Sequence, residues 1–127
     1  MKTTVRIFKA LADANRIRIL KMLQSKPLCV CEITAILGLA TSTVSKHLSI
    51  LKSAGLIANR KDLRWVNYEI ERNLENDEVR KVLDLIEGIL EKDVAVRKDR
   101  KETLEVDRNK ICGMATDSCR SKKPKRR

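Results

Sequence analysis

Apolar residues recur along the first half of the chain at spacings of three and four, the mark of helices that each bury one face. Residues 3–12 predict a short first helix with Val5, Phe8, Leu11 and Ala12 on one side. Asp13 is placed to cap a second helix over 14–24, in which Ile19, Met22 and Leu23 carry the stripe and Ile17 and Leu20 widen it. Pro27 ends that helix, because proline cannot continue a helix interior. A third helix is expected over 30–37, with Ile33, Ile36 and Leu37 apolar, and Gly38 supplies a turn where positive φ is cheap. Thr41 or Ser42 then caps a fourth helix whose Val44, Leu48 and Leu51 face inward, with Ile50 alongside; Gly55 closes it. Two short helices across a tight, glycine-containing turn give the outline of a helix-turn-helix.

The period then changes. Leu56 and Ile57 begin a strand, Arg60, Lys61 and Asp62 form a polar tip, and Trp65–Ile70 return with β propensity and partial alternation. The expectation is a β-hairpin wing whose loop length stays open, since no Asn-Gly or Asp-Gly pair marks a tight turn. Residues 76–100 predict the longest helix, striped by Val79, Val82, Leu83, Ile86, Ile89 and Leu90. A domain of this size does not cover so long a stripe, which points to a helix-to-helix dimer contact in which the first helix can share. The fold class is therefore mainly α with a β-hairpin wing: a winged helix-turn-helix, working as a homodimer. Residues 1–100 form the DNA-binding and dimerisation domain, and residues 101–127 a Cys-containing basic tail, expected to be partly disordered.

Composition narrows the partner. Phe8, Trp65 and Tyr68 are the only aromatic residues among 127, so the core must be aliphatic. The formal net charge is +11. Residues 115–127 hold six basic side chains (Arg120, Lys122, Lys123, Lys125, Arg126, Arg127) against the single acid Asp117, and the remainder is net basic as well. A polyanion is the natural partner, with nucleic acid ahead of a membrane surface. No apolar run approaches the ~18 residues of a membrane span and no signal peptide is evident, so the expected location is the cytoplasm, where thiols stay reduced. In that setting Cys29 and Cys31 read as ligands or sensors rather than as structural disulfide partners.

The fourth helix carries the reading surface. Its outward positions, Thr41, Ser42, Thr43, Ser45, Lys46 and His47, combine short hydroxyls with one cation and one imidazole. Short donors at a helix N-terminus suit close approach to phosphates and base edges, and the helix dipole adds positive potential. Arg60, Lys61 and Arg64 on the wing are placed to hold flanking phosphates or the minor groove.

Three segments in order, 11–20 (LADANRIRIL), 28–33 (LCVCEI) and 42–57 (STVSKHLSILKSAGLI), resemble the ArsR/SmtB family of winged-helix metalloregulators. The resemblance spans roughly residues 3–95. It implies a homodimeric repressor of a resistance operon, released from double-stranded operator DNA by metal and holding no permanent cofactor. The Cys29–Val30–Cys31 motif resembles that of the arsenic-sensing type; the related cadmium and lead sensors share it but add Cys from an N-terminal extension. In related enterobacterial arsenic repressors a third Cys follows three residues after the second; Thr34 stands there in this chain, and Cys112 is the preferred third thiol, with Cys119 the alternative. The related zinc sensors use His on the long helix, but the one histidine here is His47.

The thiol pair has its own chemistry. Soft thiolates select arsenite, methylarsenite, antimonite, cadmium, lead, copper(I) or zinc. Residues i and i+2 of an ideal helix point ~200° apart, so Cys29 and Cys31 grip one ion only from an extended helix start or after the first turn unwinds. Unwinding that turn displaces the reading helix, which makes ion binding and DNA binding compete. The open alternatives are a cadmium/lead or thiol-redox sensor of the same fold, an architectural nucleic-acid protein, and a thiol redox enzyme. Against the enzyme stand the missing βαβ pattern around the pair and the absence of a Gly-rich phosphate loop, a Ser–His–Asp set or paired carboxylates.

Overall fold

The computed structural model describes residues 1–63, 65–73 and 75–106. Six helices and three short strands follow in the order α1 (Lys2–Leu11), α2 (Ala14–Leu23), β1 (Leu28–Cys29), α3 (Val30–Leu37), α4 (Thr41–Ser53), β2 (Ile57–Asp62), β3 (Trp65–Ile70), α5 (Asp77–Gly88) and α6 (Val94–Glu105). The expected winged helix-turn-helix is present. Asp13 caps α2 by accepting the backbone N–H groups of Asn15 at 2.8 Å and Arg16 at 3.2 Å. Ile19, Leu20, Met22 and Leu23 of α2 are buried together with Ile33, Val44, Leu48, Leu51, Leu56 and Ile57, giving one aliphatic core. Gly38 ends α3 in the left-handed region at φ 72°, a conformation glycine adopts without a Cβ penalty, and so turns the chain from α3 into α4.

Four expectations are corrected. Val5 and Phe8 do not face the core: α1 buries Ile7 and Ala10, and Phe8 is 60% exposed. The cap of α4 is Ala40 rather than Thr41 or Ser42, and no side chain caps that helix. Arg60, Lys61 and Asp62 lie in β2 rather than at a tip; Asp62 pairs with Trp65, so the hairpin turns over two residues, and Leu63 takes φ 59° there. The helix expected over 76–100 is two helices. Its break centres on Leu90, which adopts φ 62°, and α6 turns back to pack on α2 and α3.

Two ionic contacts hold that return. Asp99, 1% exposed, receives Arg18 in a two-point contact, Nε to Oδ2 at 2.7 Å and Nη2 to Oδ1 at 2.9 Å. The Lys21 ammonium donates to the carbonyls of Ile86 and Glu87 at the end of α5 and to Glu91 just beyond it. A buried cation at a helix C-terminus satisfies carbonyls that have no intrahelical donor and opposes the negative end of the dipole. Half the stripe predicted for the long helix (Val79, Leu83, Ile86) is thus buried within the one chain.

The sequence also hid a strand. Leu28 and Cys29 form β1, which pairs antiparallel with β3 (Leu28 opposite Tyr68, Cys29 opposite Asn67), so the sheet order is β1-β3-β2. Two residues are too few to show a period, which is why no strand is legible there.

Candidate thiol site and DNA-reading surface

Cys29 and Cys31 occupy different kinds of backbone. Cys29 is the N-cap of α3, extended at φ −90° and ψ 170°; Cys31 is in the first turn. Of the two geometries open from the sequence, the structure has the extended helix start. Glu32, buried three residues on, accepts the Cys29 backbone N–H at 2.9 Å, and the Cys29 side chain meets the Glu32 backbone in return, a capping box with sulfur in place of a hydroxyl. Asp, Ser and Thr are the usual caps, so this one was not expected from residue type.

Both cysteines are buried, and with Trp65 they form a small cluster apart from the main core. Trp65 opens β3, so the thiol pair touches the wing and the first helix of the helix-turn-helix together. Trp65 as a neighbour of the pair was missed in the sequence; the signal that could have found it is the pairing of β1 with β3. Thr34, one turn along α3 from Cys31, has a buried hydroxyl with no hydrogen-bond partner among the described residues. No three metal-ligating side chains converge among the described residues. Cys112 and Cys119 lie outside the described residues, as does Arg64.

The candidate reading surface lies on α4 and the wing. Val44, Leu48 and Leu51 anchor α4 in the core, which turns Ser42, Thr43, Ser45 and Lys46 outward and leaves Thr41 and His47 half-buried. With no side-chain cap, the N–H groups of the first turn of α4 are open to an anion. Arg60 and Lys61 are exposed on β2. Arg60 is also engaged within the wing, its Nη2 3.0 Å from Glu69 Oε2. His47 receives Arg16 of α2 at Nδ1, 3.1 Å away. Asp13 lies close by: burial raises its pKa, but the N–H groups of Arg16 and Asn15 and the charge of Arg16 outweigh that and hold it below the ordinary value. Among the described residues no helix is long and apolar enough to cross a membrane.

The family described as bacterial regulatory protein, arsR family, matches residues 13–59, from the cap of α2 into the wing. An uncharacterised HTH-type transcriptional regulator of Methanocaldococcus jannaschii is 39% identical over 84 residues, covering 65% of this chain and 90% of that protein. The arsenical resistance operon repressor of Escherichia coli is 34% identical over 71 residues, covering 55% of this chain and 61% of the repressor, so the chain spans only about three-fifths of that relative. Among solved structures, reduced HlyU from Vibrio cholerae is 33% identical with a TM-score of 0.55, over 67% of this chain and 85% of that one. A homodimeric winged helix-turn-helix DNA-binding domain from Mycobacterium bovis is 29% identical with a TM-score of 0.58, over 67% and 75% of the two chains. These relatives are transcriptional regulators rather than enzymes, and the chain belongs with them to the ArsR family of winged helix-turn-helix, DNA-binding transcriptional regulators.

Proposed function

We propose that this regulator is a cytoplasmic, metalloid-responsive repressor that binds double-stranded operator DNA as a homodimer and leaves it when trivalent arsenic, as arsenite or methylarsenite, or antimonite, is taken up by Cys29 and Cys31. One observation carries the reading: a pair of cysteines stands at the start of α3, where one is the helix cap and the other is in the first turn, so an ion held by both bears directly on the helix that supports α4. The donor set fits the effector in kind, since two soft thiolates suit a trivalent, thiol-seeking metalloid. Cys112 is the candidate third thiolate. Both sulfurs are buried, so entry of the ion requires Trp65 or the first turn of α3 to move. That movement is the proposed switch: occupancy and a reading-competent shape oppose each other.

In this reading Thr41, Ser42, Thr43, Ser45, Lys46 and His47 meet the operator from α4, and Arg60, Lys61 and Arg64 flank it from the wing. Residues 101–127 add a basic, Cys-containing tail to a DNA-binding and dimerisation domain formed by residues 1–100. The arsenical resistance role of a relative supports the effector class.

The test is a DNA-release titration with arsenite, methylarsenite, antimonite, cadmium, lead and zinc, under strict reducing conditions, on the wild type and on Cys29→Ser, Cys31→Ser and Cys112→Ser. Release by a trivalent arsenical that is lost in Cys29→Ser and Cys31→Ser supports the reading. Release that survives in the double variant removes it.

The burial of Cys29 and Cys31 side by side bears one second reading, a thiol-redox regulator of the same fold. Loss of DNA binding on oxidation alone, restored by a dithiol reductant and absent in Cys31→Ser, selects it.

A further inference from the structure

His47 on α4 is held from behind by a residue of another helix. Arg16 of α2 directs Nη1 at His47 Nδ1, 3.1 Å away. The same guanidinium donates through Nε to the Ala10 carbonyl at 2.7 Å and through Nη2 to the Lys9 carbonyl at 3.3 Å, both near the end of α1. The root of the side chain is fixed as well, because the Arg16 backbone N–H is one of the two that Asp13 accepts in capping α2. Three helices therefore meet at one cation, and the imidazole is one of its three anchors.

The direction of the hydrogen in the Arg16–His47 contact follows from chemistry. A guanidinium has five N–H donors, no acceptor, and stays charged. The hydrogen must come from Arg16, and Nδ1 must accept it. A neutral imidazole carries one ring proton, so that proton is on Nε2, and the two ring nitrogens point in divergent directions. No described residue accepts from Nε2. We infer that Arg16 is a positioning residue for DNA reading: it locks His47 as the Nε2–H tautomer, so that the imidazole serves as a hydrogen-bond donor to an acceptor on DNA. The inference rests on α4 being the surface that meets DNA. The partner it selects is an acceptor oxygen or nitrogen, a phosphate oxygen or a base-edge acceptor in the major groove, and it excludes donor groups such as the amino groups of adenine and cytosine.

His47 is the only histidine in the chain, so its ring nitrogens can be read without assignment. Two-bond proton–nitrogen correlation spectra of the nitrogen-labelled protein at mildly alkaline pH should show a single Nε2–H tautomer, with Nδ1 displaced from the position of an unbonded acceptor. Arg16→Met should return Nδ1 toward that position. An Nδ1–H tautomer, or an Nδ1 resonance already at the unbonded value in the wild type, overturns the inference, and the wild-type spectrum decides even if Arg16→Met fails to fold. This arm uses no DNA, so it is separable from a failure of the proposed reading surface.

The affinity arm is a double-mutant cycle on a duplex selected from a randomised library by the wild-type protein. Gln at position 47 carries an amide donor near the place of Nε2–H and has no tautomer to fix. Arg16→Met is expected to weaken binding about tenfold in the wild-type background and by much less in the His47→Gln background. Equal loss in both backgrounds shows that Arg16 acts only through folding and sinks the inference. Loss that extends equally to unrelated duplexes assigns the acceptor to phosphate, and loss confined to the selected duplex assigns it to a base edge.

Discussion

The Lys21 ammonium, 1% exposed, lies 2.5 Å from Glu91 Oε2, and the same nitrogen donates to the carbonyl of Ile86 at 2.9 Å. One buried lysine thereby closes the C-terminus of α5 and fixes the first residue after the Leu90 break. Replacing it by an apolar chain of similar length leaves the Glu87 carbonyl without this donor and the Ile86 carbonyl with only the Ile89 N–H at 3.4 Å. Lys21→Met is expected to cost about 1–3 kcal/mol, the usual penalty for unsatisfied buried groups. Lys21→Ala should cost more, because a cavity is added. Urea denaturation of both variants checks the order; a Lys21→Met protein as stable as the wild type would show that the cap contributes nothing.

The same contact sets a pH dependence. Lys21 first, then Arg100 with Nη1 and Nη2 each 3.2 Å from a Glu91 oxygen, lower the Glu91 pKa from 4.5 to about 2. A carboxylate depressed in the folded state contributes stability that is fully present above its unfolded value and is lost as pH falls through its folded value. Stability should therefore decline between pH 4.5 and about 2. Glu91→Gln should flatten that part of the profile while leaving the neutral-to-alkaline part parallel to the wild type. Urea midpoints across the acid range provide the check, and an unchanged acid slope in Glu91→Gln counts against the contact.

Much of this architecture was legible from the sequence, and the failures have physical causes. Asp13, Gly38 and the Val44/Leu48/Leu51 stripe act locally, through a cap, a backbone angle and a helical period, and all three stand where the pattern put them. The long helix over 76–100 failed because its apolar stripe continues past Gly88, while the break is stabilised from α2 by Lys21, some 65 residues earlier in the chain. Arg60, Lys61 and Asp62 looked like a tip because charged residues suit loops; pairing of Asp62 with Trp65 carries the strand further. At the thiol site, Cys29 and Cys31 were readable as a motif. Their burial against Trp65 was not, since it depends on β1 joining the wing.

Arg18 and Asp99 predict an asymmetry. Arg18 is 26% exposed and Asp99 is 1% exposed. Removing the arginine leaves a carboxylate buried and unpaired, which costs roughly 3–5 kcal/mol. Asp99→Asn leaves a guanidinium that reaches water and keeps one side-chain oxygen as acceptor, so its cost should be smaller. Arg18→Met should accordingly be the more destabilising of the two in thermal or urea melts. The reverse order would mean that Asp99 is better solvated than the packing of α6 on α2 implies.

Glu32 ties the cap of α3 to the thiols. Its carboxylate accepts the Cys29 N–H at 2.9 Å in a buried setting, so Glu32→Ala should cost about 1–3 kcal/mol. The first turn of α3 then frays, and the thiol pair becomes accessible. After reduction, native-state modification by a thiol reagent should be faster in Glu32→Ala than in the wild type, with Glu32→Gln, which keeps an acceptor oxygen, in between. A destabilised Glu32→Ala whose thiols react no faster would separate the cap from the proposed switch.

The last prediction concerns the proposed second copy. α1 leaves Val5 and Phe8 exposed, and α5 leaves Leu85 exposed at 59%. The two helices are neighbours, since the Thr4 hydroxyl donates to Glu78 Oε1 at 2.6 Å. No described residue covers this ring or this leucine, whereas a homodimer joined through them buries both. Full burial of such a side chain is worth about 1.5–3 kcal/mol, or roughly a tenfold to hundredfold change in dissociation constant. Phe8→Asp and Leu85→Asp should each shift light-scattering mass toward the monomer at dilutions where the wild type is dimeric. Because neither residue is in the core, melting of the dissociated chain should be nearly unchanged by the substitutions. DNA affinity should fall with the dimer, since two linked half-sites are lost together. A wild-type chain that is monomeric at every concentration, or variants that remain dimeric, would move the contact away from this face.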